Sequence, residues 1–344
     1  MDEKKIKMFD KLYSSFRKII SNIAIIGYTE EDIIKRGTNI DKKLELSCLY
    51  AYPTSDENAY NPLTYDMMFP DGNHKIESPK FFSLTLTDEK AGHSFLYCLK
   101  FPEKYKLNIN NNNNKDINFN NNNNILEINV PLVLCIKSEK SDLEPFRQLL
   151  TSINQIIVSE IIDYDSKTAN NYKKVELLNI LFFIFSLPHT CPHSLVRLKL
   201  NNDLCEIEDE IDFYFSSNCE IPCNKNDTDI NLLFLILDQS IIIKVIITIL
   251  SEKQLIFRAS QAYLLHLIIP TFLKLIFPFK SIQNCITVVT KENIDYLSTP
   301  SSYIMGVLSS TIQIQTILKD YPGAIIVDCD TNEIFGENNN GPYF

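Results

Sequence analysis

The side chains best suited to hold a metal ion lie in His189–His193 (HTCPH), with Cys219 and Cys223 further along the chain. Imidazole and thiolate groups are the usual protein ligands of zinc. These residues, however, match no compact zinc-site spacing, and Pro188 and Pro192 already explain a loop here. The sequence therefore predicts a loop without a metal.

A second candidate is the pair of carboxylates Asp328 and Asp330, which could hold Mg²⁺. They end the apolar run AIIVDCD, so we interpret them as the end of a strand and the turn after it. The chain contains no GxxxxGK[ST], GxGxxG or GxSxG motif. We therefore expect no cofactor, no phosphate-binding loop and no catalytic serine.

The bulk composition narrows the classes of partner. The chain has 344 residues, 45% of them hydrophobic, and a net charge of −10. This length allows two domains, and the acidic balance disfavours nucleic acid and broad electrostatic docking on anionic lipid, although a local basic patch remains compatible with it. The charged start of the chain resembles no secretory signal, and the nine cysteines are irregularly spaced. We expect a cytoplasmic protein with reduced thiols.

Two long apolar stretches do not qualify as membrane spans. Leu232–Leu250 is interrupted by Asp238 and Lys244, and Leu255–Phe279 contains several charged or polar residues and Pro270. A span requires ~20 nearly uncharged residues. Both stretches are therefore predicted to be core elements.

The first half of the chain is predicted to be an α+β unit over residues 1–165. Its strand-like runs are followed by helical periodicity over Leu143–Ile162; the runs are Phe81–Thr87, Ser94–Phe101 and Ile125–Ile136. Two runs of five Asn fall within residues 108–124, which we predict to be a disordered insertion. Because a loop tolerates extra length, the elements on either side can still pair.

The second half, residues 166–336, is predicted to be an α/β domain, with 337–344 as a disordered tail. A buried helix over Val175–Leu187 and a strand over Leu195–Leu200 precede a polar surface excursion at 201–227. Short apolar strands then alternate with helices, which is typical of a largely parallel sheet covered on both faces. The predicted strands are Gln254–Arg258, Cys285–Val289, Tyr303–Leu308 and Ala324–Val327, and the predicted helices are Leu232–Leu237, Ser240–Leu250, Gln261–Phe277 and Thr311–Leu318.

Several short motifs follow one another in a fixed order from Phe69 to Ile334. The upstream motifs are FPDG at 69–72, FFSLTLT at 81–87, LYCLKF at 96–101, VPLVLCIKS at 130–138 and PFRQLL at 145–150. The central motifs are ILSEKQLIFRAS at 249–260, FPF at 277–279, LSTPSSYIMGV at 297–307 and AIIVDCD at 324–330. In this order they resemble the upstream and central parts of the DENN-domain family.

The chain also departs from that family pattern. The family places a tryptophan after FPF and prolines in the next strand, whereas this chain has no Trp and Cys285–Thr290 contains no proline. The helical downstream part of the module is not visible before Phe344. The chain is then either a fragment or a divergent member of the family, and further subunits or a missing downstream DENN part are candidate partners.

The resemblance implies a longin-like first domain, a doubly wound α/β second domain and exchange of GDP for GTP on a Rab-type GTPase in vesicle traffic. Membrane association would then come through the lipidated GTPase. Two alternatives stay open: a non-catalytic GTPase-binding scaffold or effector, and a GTPase-activating protein with an arginine finger.

The candidate contact residues come from the matched motifs. Arg147 and Arg258 stand beside motifs in a chain with only five arginines. Ser260, Gln261, Ser301 and Ser302 are placed near the carboxyl ends of parallel strands, where ligand surfaces often form. Capping and turn bonding explain these four residues equally well. Exchange needs no acid or base, so no catalytic residue is predicted.

Overall fold

The computed structural model describes 19–29, 46–52, 65, 67–69, 78–87, 92–108, 125–140, 143–161, 194–202, 207–215 and 228–336. The strands in these ranges are β1 Asn22–Gly27, β2 Ser47–Tyr52, β3 Lys80–Thr87, β4 His93–Asn108, β5 Ile125–Ser138, β6 Ser194–Asn202, β7 Ile207–Phe215, β8 Leu255–Ala259, β9 Asn284–Val289, β10 Tyr303–Leu308, β11 Ile325–Asp328 and β12 Glu333–Phe335. The α-helices are α1 Leu143–Ile161, α2 Thr228–Ile236, α3 Gln239–Leu250, α4 Ala262–Leu275 and α5 Ile314–Asp320, and a 3₁₀ helix covers Lys291–Ser298.

One ten-stranded mixed sheet runs through both halves of the chain, in the order β12-β11-β8-β10-β9-β3-β4-β5-β1-β2. β11, β8, β10 and β9 are parallel, whereas β3, β4, β5, β1 and β2 are antiparallel. The two parts meet where Leu86 of β3 pairs with Ile286 of β9. The backbone N–H groups of Thr85 and Cys285 each donate across this junction to a threonine hydroxyl. The fold is therefore α/β in the broad sense, and the domain limits at 165 and 336 stay predictions.

The antiparallel part is built around the long β4–β5 pair, which extends to Asn108 opposite Ile125. The predicted insertion therefore connects two paired strand ends, and Asn108, which we assigned to it, belongs to β4. The rest of the Asn-rich segment lies outside the described residues. α1 packs on this sheet because its apolar stripe faces β4, with the ring of Phe146 stacked 4.1 Å from that of Tyr97.

The prediction of a surface excursion at 201–227 is wrong for residues 207–215, which form β7. β6 and β7 make a separate two-stranded sheet. Ile211 and Phe213 are buried at alternate positions, while the side chains of Glu210 and Asp212 lie on the other face and reach solvent, as β-strand geometry requires. Because this segment is rich in acidic residues, its sequence favoured a polar surface loop over a strand. The ring of Phe213 meets that of Phe146, so the hairpin covers α1. The predicted helix at 175–187 lies outside the described residues.

The parallel part is covered on both faces. Leu255 and Phe257 of β8 pack towards α4, where the ring of Phe272 lies 5.5 Å from that of Phe257. Ile256, on the opposite face of β8, joins a cluster that contains Ile317 of α5. The alternation that we predicted for this part is therefore confirmed.

Within the described residues, no single helix is long and apolar enough to cross a membrane. α2 and α3 reach that length and composition only as a pair bent by 112°.

Candidate functional site: a cleft between α1 and α4

An open cleft of about 920 Å³ lies between α1 and the start of α4, next to β3 and β4. Its size is within the ~300–1,000 Å³ range of ligand sites. Residues from both parts of the ten-stranded sheet line it, including Lys80, Lys100, Arg147, Gln261, Tyr263 and His266. The topology therefore gathers at one surface residues that are nearly two hundred positions apart in the chain.

Arg147 is exposed on α1 and held by its neighbour one helical turn away. Its Nε and Nη2 atoms donate to the two carboxylate oxygens of Glu144 at 2.9 and 2.6 Å. This hydrogen bonding lowers the pKa of Glu144 and raises that of Arg147. Such an i,i+3 pair fixes the guanidinium in one orientation at modest energetic gain, since the site is solvated.

Ser260 and Gln261 stand at the turn from β8 into α4. The hydroxyls of Ser260 and Ser309 donate to the two carboxylate oxygens of Asp330 at 2.9 and 3.1 Å. Gln261 is the N-cap residue, but its side chain makes no capping hydrogen bond. The exposed ring of Tyr263, in the first turn of α4, lies at the cleft surface.

His266 lies on the buried side of the cleft. Desolvation lowers its pKa to about 3, so the ring is neutral at physiological pH. The ring lies 5.1 Å from that of Phe82, and neither ring nitrogen has a hydrogen-bond partner in the described structure. Leaving such a group unsatisfied is unfavourable for folding.

Two lysines and a carboxylate complete the charge distribution of the cleft. The Lys100 ammonium is buried 4.8 Å from the centroid of the Phe69 ring, a cation–π arrangement. Asp229 accepts from the buried Lys274 at 3.4 Å. Lys80 adds a further positive charge. The cleft therefore contains cations, carboxylates that are each bonded to a cation, and aromatic rings.

Arg258 does not reach the cleft. It is an ion-pair partner of Asp328 on the adjacent strand β11, with 17% of its side chain exposed and 3% of that of Asp328. The other carboxylate oxygen of Asp328 accepts the N–H groups of Asp330 and Thr331. The predicted strand end at 328–330 is therefore a structural network.

The placement of Ser301 and Ser302 at the carboxyl ends of strands is wrong. Both precede β10, so they lie at the amino edge of the parallel strands, opposite Ser260 and Gln261. There the Ser301 hydroxyl accepts from Asn284 at 3.2 Å, and its carbonyl accepts from Gln254. The limits of β10 were predicted correctly. The two serines, however, were placed at a carboxyl end, although they precede the first residue of the strand.

Three of the six predicted residues thus meet at the cleft: Arg147, Ser260 and Gln261. Sequence reasoning missed Tyr263 and His266. An aromatic residue in the first turn after a buried strand was the available signal for Tyr263, whereas His266 has no signal beyond an isolated histidine in an apolar helix.

No group of three His, Cys, Asp or Glu side chains suited to a metal ion occurs in the described ranges. His189–His193, Cys219 and Cys223 lie outside those ranges. Every cysteine that the structure describes is a free thiol.

Comparison with known proteins adds two findings. The family model described as "DENN (AEX-3) domain" matches residues 129–332. The DENN domain and WD repeat-containing protein SCD1 of Arabidopsis thaliana is 31% identical over 108 residues, which is 31% of this chain. The aligned stretch covers 9% of that relative's length. The family match includes α1, α4 and the turn that precedes α4, which together supply ten of the seventeen residues that line the cleft.

Proposed function

This chain belongs to the DENN-domain family, and from that premise we propose that it binds a small GTPase of the Rab type and promotes release of its GDP. The observation that carries the proposal is the cleft, which joins the matched region to β3 and β4 and holds Arg147 beside Tyr263. Arginine and tyrosine are among the residue types that dominate binding energy at protein interfaces.

Nucleotide exchange fits the chemistry of this surface. An exchange catalyst binds the nucleotide-free GTPase more tightly than the GDP-bound form, and each ~1.4 kcal/mol of that preference is a tenfold change in rate. Such a catalyst needs complementarity and no nucleophile. Arg147 is held in place by Glu144, and the cleft carries charges of both signs. The cleft therefore presents polar groups in fixed positions to the surface of a partner protein.

The finer assignments follow from the same premise. We propose that β1–β5 with α1 form a longin-like domain, which is supported by antiparallel strands backed by one helix. We also propose a cytoplasmic protein that reaches vesicle membranes with its GTPase. The arginine-finger alternative is less favoured, because Arg258 is held in a largely buried ion pair and Arg147 is already bonded to Glu144.

The test is the release of fluorescent GDP from a panel of purified Rab GTPases, with excess GTP and with or without the protein. We expect faster release for one or a few members. Tyr263→Ala and Arg147→Ala should each lower the accelerated rate about tenfold or more, because each truncates an interface anchor. Lys319→Ala removes an exposed charge from α5, which lies on the face of the sheet opposite to α4, and should leave the rate of GDP release unchanged.

Two results would redirect the proposal. Binding to the GTP form without acceleration anywhere on the panel would indicate a scaffold or effector. Stimulated GTP hydrolysis that Arg147→Ala abolishes would indicate a GTPase-activating protein.

A further inference from the structure

Among the described residues, His266 is the one that both lines the cleft and has buried polar side-chain atoms without a hydrogen-bond partner. The residue is 1% exposed, and neither Nδ1 nor Nε2 is bonded. The other described side chains with such an atom lie away from the cleft: Asn22, Tyr50, Thr85, Asn154 and Arg258. Because an unsatisfied buried group disfavours folding, its position at a cleft of ligand size points to a role in binding.

The imidazole of His266 is held beside apolar side chains. The backbone carbonyl of His266 accepts from the Ser83 hydroxyl of β3 at 3.2 Å, which ties this turn of α4 to the sheet. The ring itself lies 5.1 Å from that of Phe82, and Phe82 lines the cleft together with Leu267, the next residue of α4. The ring nitrogens are therefore fixed at an apolar wall of the cleft.

The chemistry of this wall defines the group that fits it. A neutral imidazole has one donor and one acceptor nitrogen. Burial lowers the pKa of His266 to about 3, so this end of the cleft disfavours charge. Phe81, Phe82 and Leu99 supply apolar lining. A complementary group is uncharged, both donates and accepts a hydrogen bond, and is carried on an apolar body; hydroxyl and amide side chains have these properties.

We propose that the inner end of the cleft, at His266, binds an uncharged hydroxyl- or amide-bearing side chain of the partner GTPase, and that His266 determines which GTPases fit. The identity of the partner rests on the proposed function, whereas the chemistry of the site does not. A site that hydrogen-bonds a polar group of its ligand rejects an analogue without that group, because its own polar atoms then stay unpaired. Arg147 and Tyr263 would supply affinity, and His266 would supply selectivity.

The first test needs no GTPase and uses p-cresol and toluene, which differ by one hydroxyl group. NMR of isotope-labelled histidine side chains follows binding to the full chain, with the His266 signals identified by their loss in His266→Leu. We expect p-cresol to shift these signals and to bind about tenfold more tightly than toluene. His266→Leu should lose that preference, and His266→Gln, which retains a donor and an acceptor, should keep it. Asn22→Val removes an unpartnered buried amide from β1 and should keep it as well.

The second test measures GDP release from a GTPase that the full chain accelerates. His266→Leu should raise KM for the GTPase about tenfold with little change in kcat, because binding is lost equally in the ground and transition states. Its urea midpoint at neutral pH should not fall, since it removes an unsatisfied polar group. A lower midpoint with an unchanged KM would mean that His266 is only structural and would contradict the proposal.

The two tests separate this inference from the exchange activity. Equal binding of p-cresol and toluene, or His266 signals that neither compound moves, would overturn the inference and leave the exchange activity standing; a permanently bound internal water at the imidazole would give that result. Preferential binding of p-cresol without accelerated GDP release from any GTPase would support the site and overturn the proposed exchange activity.

Discussion

The two edges of the parallel strands present opposite kinds of surface. At the carboxyl edge, charged side chains are held in pairs, as in Arg258 with Asp328, and the cleft adjoins them. At the amino edge, Gln283 turns inward and Phe279 outward. The first edge is held by an ion pair and by hydrogen bonds to carboxylates, whereas the second is held by hydrogen bonds of neutral amides and hydroxyls and leaves apolar groups in water. The two edges of one set of strands therefore present different chemistry to the solvent.

The largest effect is expected from breaking the ion pair at the carboxyl edge, which tests how much this pair contributes to the stability of the fold. Asp328→Ala would leave the Arg258 guanidinium largely buried without its carboxylate, so we expect a loss of about 3 kcal/mol or more in the free energy of unfolding. Urea denaturation measures it. Asp330→Ala removes an exposed carboxylate two residues later and should cost about 1 kcal/mol or less.

A rescue variant separates loss of pairing from loss of shape. Replacing both partners, as Arg258→Met with Asp328→Leu, should restore much of the stability because no buried charge is left alone. A double variant as unstable as Asp328→Ala would show that Asp328 acts mainly by accepting the N–H groups of Asp330 and Thr331.

Much of this parallel region is predictable from sequence, and the reason is physical. β10 is an apolar run, Tyr303–Leu308, whose limits coincide with the prediction. Buried parallel strands are apolar on both faces, so a short run between turns identifies them. β7 was missed because its acidic residues alternate with the buried Ile211 and Phe213.

The cleft could be predicted only in part. Ser260 and Gln261 follow β8 directly, so a correct strand places them at an edge. Whether Arg147 lies beside them depends on the pairing of β3 with β9, which joins segments two hundred residues apart. No local pattern encodes that pairing, and the burial of His266 depends on it as well.

His266 and Gln283 provide a second contrast between the two edges, because both are buried but only Gln283 is hydrogen-bonded. Unfolding returns the imidazole to its ordinary pKa of 6.5, whereas the folded pKa is about 3. Between these values the unfolded chain binds a proton that the folded chain does not. Stability should therefore fall as the pH drops below about 6.5, by ~2 kcal/mol at about pH 5.

The contribution of His266 is isolated by comparing urea denaturation of the protein with that of His266→Leu across this pH range. The variant should lose about 2 kcal/mol less on acidification, because it has no imidazole to protonate. If both proteins lost the same amount, His266 would have a partner or solvent access in the folded state. The contrast with Gln283 would then disappear.

The smallest expected effect bears on the amino edge. Because Phe279 is mostly exposed, Phe279→Ser removes little buried surface and should change the free energy of unfolding by no more than about 0.5 kcal/mol. Phe272→Ser, in α4, removes a fully buried ring and should cost about 3 kcal/mol or more. Urea denaturation of both variants measures the difference. A cost for Phe279→Ser near that for Phe272→Ser would mean that the Phe279 ring packs against the free protein, and the amino edge would then no longer differ from the carboxyl edge in this way. A negligible cost would mean that this ring contributes little to folding and faces solvent in the free protein.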